Sequence, residues 1–405
     1  MTREQLTARR PTRVTVASLA MLALGVVTGA VLYAGPLDPP AGPVASSYKT
    51  LNEVEPRIAI NAVNTPGDAD SVFRITAAGS YYLTGNVTGI AGRHGIEIAA
   101  SNVSIDLMGF SVLGVAGALD GISNVVAAVD NITICNGTVS GWPGDGIQLN
   151  SGTNHAVRAV NARSNVGSGI IVDENSIVES CAASANSLDG IIVNGLNGVV
   201  RACTATGNLA QGIQLANSGS ISDCSSHNNV TGFQTGIGAT LVNCSARDNT
   251  ADGFIVSSAC VVSNCSAYSN TNDGFRASST STIFSNCTAS FNAGDGIEVP
   301  GNCTLLGNTC DGNGVGAGSG AGIKVTGTDC RVEGNSLMRN DFGMDVQLTG
   351  NLIFRNSAAG NTTNYQIIAN NKVGFIVLAP NSAVVGGSTG GAGVGSTDPW
   401  ANFSY

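Results

Sequence analysis

Asp252, Asp273 and Asp295 each stand immediately before a glycine at evenly spaced points of the chain, and the same Asp-Gly pair occurs earlier at Asp120, Asp145 and Asp189. At a matching distance beyond these glycines lie Arg276, Glu298 and Lys324. Carboxylates stacked about 5 Å apart repel, so Asp252, Asp273 and Asp295 would either bind a hard cation such as Ca²⁺ or raise one another's pKa. With Arg276, Glu298 and Lys324 beside Asp273 and Asp295, the set has the acid, base and cationic groups for attack on an acidic or neutral polysaccharide. The plainer alternative is that Asp-Gly makes a good corner, the carboxylate capping backbone amides in solvent. Spacing alone leaves these readings open.

A repeat positions these residues. Cysteine recurs at Cys181, Cys203, Cys224, Cys244, Cys265, Cys287 and Cys310, at intervals of 20 to 23 residues. Five residues further on runs an asparagine ladder, Asn186, Asn208, Asn229, Asn249, Asn270 and Asn292, with Asn165 one repeat earlier. A third ladder is glycine followed by an apolar residue, from Gly146-Ile147 through Gly253-Phe254 to Gly343-Met344. A fixed period with no room for a helix is a β-solenoid coil, which buries its apolar side only by stacking on its neighbours. About twelve coils at a strand spacing of roughly 4.8 Å give a rod of roughly 60 Å.

Within each coil, alternation after the glycine predicts an inward Ile/Phe and Val/Leu pair flanking one outward residue. The outward row reads Gln148, Ile171, Ile192, Gln214, Gln234, Ile255, Arg276, Glu298, Lys324 and Asp345. A second strand, such as Leu241 to Ala246, is expected to turn Val242, Cys244 and Ala246 inward. The ladder cysteines then read as small buried hydrophobes, because equivalent side chains on adjacent coils lie too far apart for the roughly 3.8 Å Cβ separation of a disulfide. Cys135, Cys260, Cys303 and Cys330 fall off the ladder, and Cys260 or Cys303 could be surface thiols. Two coils exceed the period, one with a Gly-rich insertion at 313–320 and one with extra residues around Asn356 to Ile367.

The rest of the chain brackets this repeat. Arg3, Arg9, Arg10 and Arg13 precede an uncharged apolar run from Val14 to Ala34, so residues 1–34 read as a signal peptide or an uncleaved membrane anchor, and the protein as exported. Residues 35–57 are a Pro-rich linker, 58–94 an N-terminal cap over the first coil's open edge, 95–385 the solenoid, and 386–405 a Gly-rich tether with an aromatic tail expected to dock on the last coil. The net charge of −9 and the lack of basic clusters exclude a nucleic-acid partner.

The D-G-I-x-V and C-[ST]-A-x-x-N signatures, as in Asp295 to Val299 and Cys244 to Asn249, make the segment from Gly95 to Val377 resemble the right-handed parallel β-helix family of exported bacterial proteins. The resemblance implies an all-β, single-stranded right-handed parallel β-helix. It specifies no activity, because that family spans polysaccharide lyases, hydrolases, epimerases, copper-maturation proteins, tailspikes and adhesins. Of the polygalacturonase motifs only fragments occur, Arg93-His94-Gly95 and Gly322-Ile323-Lys324, and the dispersed His94, His155 and His227 disfavour metal maturation. The expectation is a monomeric binding module that presents its long face to a polysaccharide or cell-envelope partner. The alternative is a polysaccharide lyase or glycoside hydrolase acting on a uronate-type polymer through Asp273, Asp295, Glu298, Arg276 and Lys324. No cofactor is implied beyond calcium at the aspartate row.

Overall fold

The computed structural model describes residues 55–124, 128–314, 319–378, 384–387 and 398–405. The chain divides into two units, Met1–Pro56 and Arg57–Tyr405. Residues 1–34, expected to be a signal peptide or anchor, and nearly all of the expected Pro-rich linker lie outside the described residues.

The second unit is a parallel β-solenoid with three short strands per turn. One coil reads Phe254–Val256, Val261–Ser263 and Ser266–Tyr268, and the chain then returns one level on at Phe275–Ala277. Each strand pairs in parallel with its equivalent on the next coil, as Phe254↔Phe275, Val261↔Ile283 and Ser266↔Thr288. The strands after the ladder glycines form one sheet of fifteen, from Ser71–Ile75 to Val384–Gly387. The other two strands of each coil form a second sheet of 28, joined through the long strands Ile132–Ser140 and Ala156–Arg163.

Fifteen strands exceed the twelve coils expected, for identifiable reasons. The segment 58–94 already contributes strands to both sheets, Ser71–Ile75 pairing with His94–Ile98 and Gly79–Leu83 with Val103–Asp106. The extra residues around Asn356 are a further coil and no loop: Thr363–Ile367 pairs with Phe342–Val346, and Asn364 stands where the ladder glycine would be. The tail docks as expected and also extends a ladder. Strand Asn402–Ser404 pairs with Ser357–Ala359, and the Asn402 side chain accepts the Asn356 backbone N–H at 2.9 Å.

The core is a set of apolar columns. Phe233, Phe254 and Phe275 stack with centroids 4.7 and 4.6 Å apart. Near the first coils Trp142 is wholly buried, donating its indole N–H to the Val112 carbonyl at 3.0 Å. A Cβ on Gly95 would come within 2.8 Å of that ring, so glycine there makes the space the indole fills. The ladder glycines likewise serve close approach: a Cβ on Gly253 would lie 2.6 Å from the Gly274 carbonyl oxygen.

The corner ladders differ from expectation in three ways. Leu241 to Ala246 is not one strand. Asn243 has φ +56°, and this left-handed kink resets the alternation so that Leu241, rather than Val242, joins Cys244 and Ala246 inside. Cys260 and Cys303 are buried, not surface thiols, and the Cys303 N–H donates to Cys330 Sγ at 3.4 Å, a second inner corner. Cys310 is off the main ladder, since pairing of Thr288 with Thr309 sets Asn308 beside Cys287. The Cys287 N–H donates to Asn308 Oδ1 at 2.9 Å, where Cys244 N–H donates to Cys265 Sγ at 3.4 Å. Cysteine and asparagine share this corner because each offers an acceptor to the preceding coil's amide. Every cysteine is free.

Candidate functional site

The outward row forms as expected. The fifteen-stranded sheet pairs Gln214↔Gln234, Gln234↔Ile255, Ile255↔Arg276, Arg276↔Glu298, Glu298↔Lys324 and Lys324↔Asp345 on successive coils. At the corner beside it the aspartates act on the backbone. Asp252 Oδ1 accepts the Asp273 N–H at 3.1 Å, Asp273 Oδ1 the Asp295 N–H at 2.7 Å, and Asp295 Oδ1 the Ala321 N–H at 2.7 Å. Asp120, Asp145 and Asp189 do the same for Asp145, Ser168 and Gln211. The aspartates therefore cap backbone amides, although Asp252, Asp273 and Asp295 are buried rather than in solvent.

One oxygen of each aspartate is thus committed to the backbone, and the second is left for side-chain contacts, as Asp145 Oδ2 accepts from Gln148 Nε2 at 3.0 Å. Asp273, Asp295, Arg276, Glu298 and Lys324 line one hollow of about 320 Å³, walled by Asn272 and by Ser319-Gly320 from the Gly-rich insertion. Oxygens of Asp273, Asp295 and Glu298 lie within 4.8 Å of one another. Lys324 Nζ donates to Asp295 Oδ2 at 3.0 Å and lies 3.7 Å from Glu298 Oε1. The wall residue Asn272 escaped the sequence reading, and Ser319 and Gly320 showed in it only as part of the 313–320 insertion.

Burial, reinforced by Asp295 and Glu298 and opposed by the Asp295 amide, pushes the Asp273 carboxyl up to about 7. Burial also raises Asp295, against the opposing pull of the Ala321 amide and of Lys324. Burial works against the charge on Lys324, but its hydrogen bond to Asp295 and the surrounding carboxylates leave its pKa raised.

The carboxylates that converge differ from the expected row of Asp252, Asp273 and Asp295. The three convergent carboxylates are Asp273, Asp295 and Glu298, without Asp252, whose Oδ1 takes both the Asp273 amide and Asn272 Nδ2 at 2.7 Å.

A pH dependence follows from Asp273. Between its unfolded pKa near 3.8 and its folded value of about 7 the native state holds a proton that the unfolded chain has lost. This group's contribution therefore favours the fold below pH 4 and fades as pH rises through 7. Asp273→Asn should flatten the fall in melting temperature between pH 4 and pH 7; an unchanged profile would place the carboxyl's pKa in the ordinary range.

The family model described as the right-handed beta helix region matches residues 94–240 and 233–337, more than half of the chain. The chain belongs to the right-handed β-helix family. No curated protein sequence matches it. Among solved structures, this β-helix is similar to the catalytic domain of a GH87 α-1,3-glucanase in complex with tetrasaccharides, at 13% identity and TM-score 0.52, covering 68% of this chain and 62% of that one. It is also similar to the A-module of the mannuronan C-5 epimerase AlgE4 of Azotobacter vinelandii, at 14% identity and TM-score 0.49, covering 73% and 91% of the two chains. At these identities the likeness is one of fold.

Proposed function

We propose that this β-helix is an exported module that binds a polysaccharide along its outward row, with the Asp273–Asp295–Glu298 hollow gripping the most polar unit of the chain. The observation that carries this reading is the convergence of five sequence-selected polar side chains, Asp273, Arg276, Asp295, Glu298 and Lys324, on one open hollow. Carboxylates accept hydrogen bonds from sugar hydroxyls, and Arg276 and Lys324 pair with uronate carboxylates. A second hollow of about 310 Å³ follows on the neighbouring coils, lined by Gln214, Gln234, Thr235, Ile255, Ser257 and Ser278 among others, so amide and hydroxyl groups continue the track. No aromatic side chain lines either hollow, and recognition there rests on hydrogen bonds and charge rather than ring stacking.

A second reading is cleavage of a uronate-type polymer by a lyase or hydrolase. It is favoured by one observation, the Asp273 carboxyl raised to about 7 within reach of Lys324-paired Asp295. A carboxyl poised near neutrality can give a proton to a leaving glycosidic oxygen while a neighbouring base accepts one from water or from the sugar.

Size-exclusion analysis of uronate and neutral polysaccharides incubated with the protein separates the two readings. Co-elution without shortening supports binding, and Arg276→Ala should then weaken retention of uronate chains several-fold, the loss of one exposed charge pair. Shortening that disappears in Asp273→Ala and Asp295→Ala supports cleavage. Neither co-elution nor shortening with any glycan would overturn both.

A further inference from the structure

A second cluster of carboxylates lies on the same row, nine coils from the first at roughly 4.8 Å per coil. Glu97 is an outward residue of His94–Ile98, yet it is only 1% exposed. Beside it stand Asp68 and Asp70 from the loop that leads into the first coil, and oxygens of all three lie within 4.8 Å of one another.

The polar accounting leaves a gap on one side. Asp68 Oδ1 accepts the Ser71 N–H at 3.0 Å and the Ser71 hydroxyl at 2.7 Å, and its Oδ2 accepts from Arg74 at 2.6 Å. Arg74 Nε also approaches Glu97 Oε1 at 3.2 Å. Among the described residues Glu97 Oε2 has no hydrogen-bond partner. A buried, bare carboxylate oxygen is costly, and nearly all such atoms in folded proteins are satisfied. Burial accordingly raises the Glu97 carboxyl above the usual range, against the pull of Arg74. Arg93 and His94 also lie nearby but are directed elsewhere: Arg93 reaches the Ser71 carbonyl at 3.4 Å, and His94 Nδ1 accepts the Asp120 N–H at 3.2 Å.

We propose that Asp68, Asp70 and Glu97 bind a divalent, oxygen-preferring cation of the Ca²⁺ class, which ties the loop before the first coil to the second coil. The donors are all carboxylate oxygens, with no thiolate or imidazole in the set, which selects hard cations over zinc or copper. Three carboxylates against the single Arg74 that pairs with them leave a local excess of negative charge for such an ion to balance. Glu97 belongs to the second coil and the two aspartates to the lead-in of the first, so the ion bridges the first levels of the fifteen-stranded sheet, which among the described residues begins at Ser71–Ile75. It would therefore stabilise the N-terminal end of the stack.

Thermal unfolding of the full chain in EDTA, in CaCl₂ and in MgCl₂ tests this, with calorimetric titration of CaCl₂ for stoichiometry. CaCl₂ is expected to raise Tm by several degrees over EDTA in a saturable way, and MgCl₂ by less. Asp70→Asn, at an exposed position, should melt with the wild type in EDTA and lose the calcium shift. Glu97→Gln should lose it too, and Asp273→Asn should keep it. The absence of a calcium-dependent rise in the wild type overturns the site, as does a rise that survives Asp70→Asn and Glu97→Gln or vanishes in Asp273→Asn.

Discussion

Phe254→Ala is expected to cost about 3–5 kcal/mol, the usual range for removing a buried aromatic ring without full collapse of the site. Phe254 is the middle of a three-ring stack, 4.7 Å from Phe233 and 4.6 Å from Phe275, and its side chain is wholly buried. Its removal takes away a core side chain and both stacking contacts at once. The backbone cannot close the gap, because Phe254 is fixed by parallel pairing to Phe233 on one side and Phe275 on the other. Phe254→Leu should recover most of the loss, whereas Ile255→Ala, one residue on and facing outward, should cost about 1 kcal/mol or less. Denaturant titration followed by circular dichroism gives the totals. Because a solenoid can unfold coil by coil, hydrogen exchange should show protection lost first in the strands around 233–275. Equal losses for Phe254→Ala and Ile255→Ala would contradict the inward and outward assignment itself.

That assignment was legible because a strand's period of two needs one fixed point, and the ladder glycine supplies it. Once Gly296 and Gly322 mark the starts of adjacent strands, Glu298 and Lys324 must stand next to each other on one face, as their pairing shows. Arg276, Asp273 and Asp295 follow by the same step, so the polar hollow could be assembled from the sequence. Less legible was whatever depends on the path between strands. The left-handed residue at Asn243 shifts the inward set by one, and nothing in the identity of an asparagine distinguishes a kink from a rung. Asn308 takes the place beside Cys287 because the two side chains perform one task, so a ladder defined by cysteine alone drifted onto Cys310. The burial of the amide-capping aspartates and of Glu97 under the 61–70 loop arises from contacts between levels and from a non-repeating segment. Periodicity carries no information about either.

Asn249→Ala is the complementary test at the polar corner, with an expected cost of about 1–3 kcal/mol from buried partners left unsatisfied. Asn249 is wholly buried. Its Oδ1 accepts the Asn229 backbone N–H at 3.0 Å, and its Nδ2 donates to Asn270 Oδ1 at 2.8 Å and to the Ser226 carbonyl at 3.4 Å. Alanine removes the acceptor for one amide and the donor for two oxygens, none of which can reach water. The ladder continues well past Asn292, through Asn313 and Asn340 to Asn361, so an internal rung is held from both sides. Asn402 ends the neighbouring Asn308–Asn335–Asn356 ladder, and its Oδ1 accepts the Asn356 N–H at 2.9 Å while its Nδ2 donates to the Gly374 carbonyl at 2.9 Å, so Asn402→Ala should cost about as much as Asn249→Ala. Asn243→Gly serves as the control, since Asn243 is exposed and glycine accepts its left-handed backbone without strain. Chemical denaturation of the three variants should show comparable losses for Asn249→Ala and Asn402→Ala and little change for Asn243→Gly. A wild-type midpoint for Asn249→Ala with a loss at Asn243→Gly would show that the kink, rather than the stacked amides, holds the corner.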